Sequence, residues 1–274
     1  MSAARRSAGE NHLDWSSELL GAIAGDVIGS IYERHPIKSK DFPLFREGSR
    51  FTDDTVLTVA IAQAILSDSS YEDMLIAFTR KYPHAGYGGH FWRWAQNERQ
   101  EPYHSWGNGS AMRVSPIGFA FETAEEVLEE ACKSAAITHN HPEGIKGAQA
   151  AALAIYLARK RYSKEEICEK IQAHFGYDLK RPIDQIRPDY QFDVSCQGSV
   201  PEALISFLQA RDFEDALRNA ISLGGDSDTL ACIAGGVAAA YYGGVPDTIA
   251  GQVRARLPAE FLDVIDSFNR QFKG

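Results

Sequence analysis

Apolar residues recur along this chain at three- and four-residue intervals, and no segment alternates strictly, so the pattern predicts helices and no strands. Leu19, Leu20, Ile23, Ala24, Val27, Ile28 and Ile31 make the first stripe, with Asp14 or Ser16 placed to cap its start. The same helix carries Gly21, Gly25 and Gly29 at every fourth position. That spacing clears one face of side chains and lets a second backbone approach, at about 1 kcal/mol of lost helix propensity per glycine. Val56, Leu57, Ala60, Ile61, Ala64 and Ile65 mark a second helix, and further helices are expected at 71–81, 89–98, 144–159, 212–222, 229–242, 246–256 and 258–271. Thr123 with Glu126, Ser163 with Glu166 and Ser199 with Glu202 fit capping boxes, Gly243-Gly244 is a break, and Pro246 and Pro258 suit first turns. Trp92 and Trp94 read as core aromatics. Between residues 34 and 50 the pairs His35-Pro36 and Phe42-Pro43 and the run Arg46-Glu47-Gly48-Ser49 punctuate a long loop, suited to a lid.

Composition narrows this to one soluble unit. A chain of 274 residues with 44% hydrophobic content can bury a large core, and no linker-like stretch divides it. A polar N-terminal segment, residues 1–13, and a single domain over residues 14–274 are expected. The net charge of −9 argues against a nucleic-acid partner, and Arg159-Lys160-Arg161 reads as the solvated end of a helix. Cys132, Cys168, Cys196 and Cys232 form no C-x-x-C pair, which favours buried reduced thiols and a cytoplasmic setting over zinc or disulfides. No apolar stretch follows the basic residues near the start, and none elsewhere reaches about 18 uninterrupted residues, so neither export nor a membrane partner is expected.

The chemistry concentrates at helix starts. Thr52-Asp53-Asp54-Thr55 opens the second helix, and Gly225-Asp226-Ser227-Asp228-Thr229 opens the one at 229–242. Taken singly, each is a helix cap, since Thr and Asp accept bonds from orphan N–H groups at the positive end of the dipole. Together they bring four carboxylates where a cap needs one acceptor, and converging charge must be neutralised. Hard oxygen ligands suit Mg²⁺ or Mn²⁺ better than zinc or copper. Asp26 and Glu33, seven residues apart, share a helix face. Asp26 is equally well read as a hydrogen-bonded structural carboxylate, and Glu33, at the helix end, is the functional candidate. Ser105-Trp106-Gly107-Asn108-Gly109-Ser110 precedes another helix and reads either as a cradle for phosphate oxygens or as a glycine turn. His139 and His141 flank a turn that lacks a further His or a Cys pair, which disfavours zinc and leaves one of them to donate a bond to substrate.

These motifs, in this order, resemble those of the ADP-ribosylglycohydrolase family: Gly25-Asp-x-x-Gly-Ser-x-x-Glu33, Thr52-Asp-Asp-Thr55, Gly107-Asn-Gly-Ser-Ala-Met-Arg113, Thr138-His139 and Gly225-Asp-Ser-Asp-Thr229. The resemblance spans about Gly21 to Gly243. It implies an all-α orthogonal helical bundle holding two magnesium ions, with Mn²⁺ an alternative, ligated by Thr52, Asp53, Asp54, Asp226, Asp228 and Thr229. It also implies Glu33 as the catalytic carboxylate beside Asp53 and Asp54, and Ser105 to Ser110 with His139 lining an ADP-ribose groove. Trp106 stands where relatives often carry another aromatic. The implied partner is an ADP-ribosylated protein, the product ADP-ribose, and the acidic composition favours an arginine-linked substrate with Glu47 and Glu33 facing the guanidinium. Alternatives are a hydrolase of O-linked ADP-ribose, such as a serine adduct or O-acetyl-ADP-ribose, and a non-catalytic, crystallin-like relative. A magnesium enzyme of diphosphate chemistry is the remaining class, although Asp53-Asp54-Thr55-Val56-Leu57 lacks the Asp-Asp-x-x-Asp run of a prenyl-diphosphate synthase.

Overall fold

A computed structural model of the chain describes residues 19–97 and 101–272. Among them lie fifteen helices and no strand. In order these are α1 Leu20–Gly29, α2 Asp53–Ser67, α3 Tyr71–Lys81, α4 Gly89–Gln96, α5 Gly109–Met112, α6 Ser115–Ala120, α7 Ala124–Ala136 and α8 Pro142–Arg159. The second half adds α9 Lys164–Phe175, α10 Ile183–Ile186, α11 Cys196–Leu208, α12 Phe213–Ile221, α13 Ser227–Tyr242, α14 Asp247–Arg254 and α15 Ala259–Gln271. The expected helices are all present, within a few residues at their ends, and the all-α class holds. The proposed caps Asp14 and Ser16 and the segment 1–13 fall outside the described residues. No helix among those described is long and apolar enough to cross a membrane.

The glycine stripe explains the centre of the molecule. Every residue of α1 is buried, and its partner along Gly21, Gly25 and Gly29 is α13. A Cβ on Gly25 would stand 2.0 Å from the Ala231 carbonyl oxygen, and one on Gly21 would stand 2.5 Å from that of Gly235. Only hydrogen side chains permit backbones this close. Gly29 packs on Ser227 and Asp228, so the antiparallel pairing sets the end of α1 beside the start of α13. α2 packs across α1, which brings a second helix start to the same place. Around this pair, α8, α11 and α12 pack on α13, while α7 and α9 close the outer layer on α8.

Capping follows the sequence in two of three cases. Thr123 with Glu126 and Ser163 with Glu166 each form both bonds of a capping box. Ser199 does not cap: α11 begins at Cys196, and the Ser195 hydroxyl caps it by accepting from the Gly198 N–H at 3.1 Å. Ser199 instead donates its hydroxyl to the Ser195 carbonyl at 2.7 Å, and Glu202 pairs with Arg181. Pro201 sits inside this helix and lacks an N–H to donate. Pro246 and Pro258 stand at the N-caps of α14 and α15. Trp94 is core as expected, whereas Trp92 is half-buried and stacks on Tyr87 at 5.9 Å.

The 34–50 loop is strapped down by side chains from α12 and its surroundings. Arg218 donates to the carbonyls of Lys40 and Phe42, both at 2.8 Å, Lys40 pairs with Asp215, and the Tyr32 hydroxyl donates to the Pro43 carbonyl at 2.7 Å. Only its two ends, Arg34 and Arg50, border the cleft described below.

Candidate active site

The starts of α2 and α13 and the end of α1 converge at the floor of a cleft of about 690 Å³, within the size range of small-molecule sites. Asp26 fixes this convergence from below. Its fully buried carboxylate accepts from the Thr52 N–H at 2.9 Å, the Thr52 hydroxyl at 2.6 Å, the Thr55 N–H at 3.1 Å and the Thr55 hydroxyl. Four donors on one carboxylate tie α1 to the first turn of α2. Asp26 is therefore the structural carboxylate that the sequence left as one of two readings.

Above it the predicted ligands meet. Glu33, Asp226 and Asp228 present oxygens that lie within 4.8 Å of one another, and Thr52, Asp53, Asp54 and Thr229 line the same floor. Thr229 donates its hydroxyl to Asp54 Oδ2 at 3.4 Å, Asp228 Oδ1 accepts from the Thr229 N–H at 3.0 Å, and Asp226 Oδ2 accepts from the Asn108 amide at 2.8 Å. Asp54 Oδ1 is buried with no partner. Among the described residues, none of Asp26, Glu33, Asp53, Asp54, Asp226 and Asp228 forms an ion pair with a basic side chain.

Burial and mutual repulsion push these groups upward. The Asp53 carboxyl is raised to about 8, by burial first and then by Asp26, Asp226 and Glu33. Asp54 and Asp228 are held well above the carboxylate range for the same two reasons, and Asp226 and Asp26 are raised mainly by burial. Glu33 is raised by burial and by the charge of Asp226, against the pull of Arg34 and Arg50. Crowded oxygens, an orphaned buried carboxylate atom and, among the described residues, no ion pair to a basic side chain together form a donor set that suits hard divalent cations.

The glycine segment forms one wall. Ser105, Gly107, Asn108 and Gly109 line the cleft, with the Asn108 N–H donating to the Val194 carbonyl at 2.7 Å and the Ser105 hydroxyl accepting from the Gly107 N–H at 3.1 Å. His139 is buried beside them, its Nε2 3.2 Å from where a Cβ on Gly109 would be. Two expected residues of this group stand elsewhere. Ser110 is buried behind the wall and donates to the Gly144 carbonyl at 2.7 Å, while Trp106 is 53% exposed, edge-on to His141 and outside the cleft lining. Glu47 is exposed on its loop and does not border the cleft.

Several lining residues were given no role from the sequence. Arg113 ends the glycine motif, is fully buried, and donates through Nη2 to the Ser134 carbonyl and the Thr138 hydroxyl, while its Nε and Nη1 have no partner. Burial lowers its guanidinium to about 10. A lone cation inside the apolar run Ala111-Met112-Arg113-Val114 was the available signal. Arg34, Arg50 and Arg93 line the cleft, as do Tyr103, Phe192 and Val194, and nothing local in the sequence marks them.

A family model described as ADP-ribosylglycohydrolase matches residues 18–273. The chain is 29% identical to the ADP-ribosylhydrolase ARH3 of Mus musculus, over 82% of each chain, and 29% identical to that of Homo sapiens, over 82% of this chain and 84% of the relative. It is 24% identical to the ADP-ribosylarginine hydrolase Tri1 of Pseudomonas putida (strain GB-1), over 82% of this chain and 69% of that protein. A solved structure titled "ADP-ribosylglycohydrolase-related protein complex" shares the fold, with a TM-score of 0.70 at 24% identity over 94% of this chain and 97% of that one.

Proposed function

Because the chain belongs to the ADP-ribosylglycohydrolase family, we propose that this ADP-ribosyl hydrolase works with two divalent cations, Mg²⁺ first and Mn²⁺ as a substitute, and frees ADP-ribose from modified protein side chains. The observation that carries the metal reading is the convergence of Glu33, Asp53, Asp54, Asp226 and Asp228 with a buried Asp54 oxygen left unpaired. Thr52, Asp53, Asp54, Asp226, Asp228 and Thr229 would hold the ions. When bound, the ions supply positive charge that holds sugar hydroxyls and acidifies water.

The protein's own groups do the rest. Cleavage at the anomeric carbon passes through an oxocarbenium-like state, so the sugar must be held and a water deprotonated. Glu33 borders the acidic floor and, with its carboxyl raised by burial and by Asp226, is suited to accept the proton of the attacking water and to pass it to the leaving atom as the glycosidic bond breaks. Asn108 holds Asp226 in place. Gly107 and Gly109 carry no side chain, which lets a diphosphate lie against the backbone, and His139 offers Nε2 beside them. Binding energy at the diphosphate then orients the distant anomeric carbon.

Charge at the mouth speaks to the linkage. The expected preference for arginine rested on the acidic composition, with Glu47 and Glu33 facing the guanidinium; Glu33 borders the cleft and Glu47 does not, whereas Arg34, Arg50 and Arg93 do. A cationic guanidinium leaving group is repelled by such a rim, and an uncharged seryl or acetyl oxygen is not. We therefore favour O-linked ADP-ribose.

The test is release of free ADP-ribose by the purified protein with Mg²⁺ from serine-linked peptide, arginine-linked peptide and O-acetyl-ADP-ribose. Release should be fastest from an O-linked substrate and should stop after exhaustive chelation. Glu33→Gln should lower kcat by about 10²-fold or more while keeping ADP-ribose affinity. Full turnover without metal overturns the dimetal reading, faster release from arginine reverses the linkage, and no release from any substrate leaves a binding protein.

A further inference from the structure

Behind the glycine wall lies a hydrogen-bonded chain that none of the reaction steps above uses. Arg113, fully buried, donates through Nη2 to the Thr138 hydroxyl at 3.0 Å, and that hydroxyl lies 2.7 Å from His139 Nδ1. The far nitrogen of the same imidazole, Nε2, is the one that borders Gly107 and Gly109 in the cleft. We infer that Arg113 and Thr138 are positioning residues which lock His139 in its Nε2–H tautomer, so that a neutral imidazole donates a hydrogen bond to the substrate's diphosphate. The inference rests on reading the cleft as an ADP-ribose site.

The donor and acceptor count permits one direction of the chain that ends in a donor at Nε2, and electrostatics selects it. A guanidinium can only donate, so Thr138 must accept from Arg113 and keeps one hydroxyl proton to give. Given to His139 Nδ1, that proton makes Nδ1 an acceptor and leaves the hydrogen on Nε2, as the partner of one ring nitrogen decides the state of the other. Electrostatics points the same way. The opposite tautomer would turn Nδ1–H toward the side on which the guanidinium charge sits, whereas a lone pair there is attracted to it. Tyr103 lies tilted against His139 at 6.0 Å between ring centres. Burial pushes its phenol up to about 12, so it stays protonated and places no negative charge beside the imidazole.

The arrangement also explains why the histidine need not be charged to bind an anion. Burial first, and the Arg113 charge second, hold His139 well below the ordinary imidazole range. A neutral ring presents either a donor or a lone pair to the diphosphate, and only the Nε2–H form is attractive. Arg113 thus acts at a distance, through Thr138, and its unpartnered Nε and Nη1 leave a positive charge behind the wall on which the phosphates would lie.

The experiment uses the full chain labelled with ¹⁵N-histidine and read by two-bond ¹H–¹⁵N correlation without ligand, with His139 assigned by its loss in His139→Gln. Wild type should show the Nε2–H pattern for His139. Thr138→Val should shift it toward Nδ1–H and raise the Kd for ADP-ribose, measured by calorimetry, about tenfold or more, as expected for a lost hydrogen bond to a charged group. Thr138→Ser should restore both the tautomer and the affinity. A wild-type His139 in the Nδ1–H form overturns the inference, and this spectrum decides even where Thr138→Val does not fold. Unchanged tautomer and affinity in folded Thr138→Val overturn it equally. If the tautomer responds as expected but wild type binds no ADP-ribose, the locking network stands and the ligand reading of the cleft falls.

Discussion

At the scale of single residues, the site is defined by carboxylates kept where carboxylates are costly. Asp53 is raised to about 8 and Asp54, Asp228, Asp226 and Glu33 are raised with it. A group whose folded value lies above its unfolded value binds more protons when folded, so its protonation stabilises the fold at low pH. For Asp53 that contribution is complete below about 4 and is lost as pH rises toward about 8. The metal-free protein should therefore melt at progressively lower temperature across this window, as measured by calorimetry in EDTA. Asp53→Asn should flatten the slope and raise the metal-free Tm at pH 8, by about 2–4 °C for each kcal/mol of repulsion relieved. With Mg²⁺ present the same variant should lose both the stabilisation by metal and turnover. A metal-free Tm that rises with pH over this range would mean that the carboxylates are not crowded as described.

At the scale of helices, the close contact of α1 with α13 holds that cluster together. Gly25→Ala would set a Cβ 2.0 Å from the Ala231 carbonyl oxygen, and backbone cannot yield as a flexible side chain can. The helices must separate, at about 1–3 kcal/mol or more for overpacking, and the end of α1 then carries Glu33 away from Asp226 and Asp228. Gly25→Ala is expected to lower Tm by several degrees and kcat by a larger factor than the KM change, whereas Gly251→Ala, with open space around it, should change neither. Equal kinetics in the two variants would refute the coupling. The glycine stripe was legible because its period is local, and so were Thr52 to Thr55 and Asp226 to Thr229, each of which opens a helix. Which helix would meet the stripe was not legible, because that depends on the opposing Gly235 and Ala231, far along the chain. The Ser199 start was misplaced because Ser195 offers an equivalent cap that α11 takes instead. Arg50, Arg93, Phe192 and Val194 reach the cleft through tertiary packing alone, so no short pattern could flag them.

At the scale of the whole molecule, a chain with net charge −9 presents a cleft whose floor is acidic and whose rim carries Arg34, Arg50 and Arg93. That division suits a ligand with a diol to set over cations and a negative charge drawn in past the guanidinium groups of the rim. Free ADP-ribose has both parts, so it should bind as product and stabilise the native state by mass action, by about 2.7 kcal/mol at a hundredfold excess over Kd. For a domain of this size that corresponds to a rise in Tm of about 5–10 °C. Gly109→Val provides the control within the same fold. Its Cβ would stand 3.2 Å from His139 Nε2 and 3.3 Å from Cε1, and the added methyl groups would occupy the wall on which the diphosphate is proposed to lie. Thermal melts with Mg²⁺ should show most of the ADP-ribose shift lost in Gly109→Val, with the ligand-free Tm changed far less. An undiminished shift in that variant would place the diphosphate away from the Gly107–Gly109 wall and leave His139 without its assigned partner.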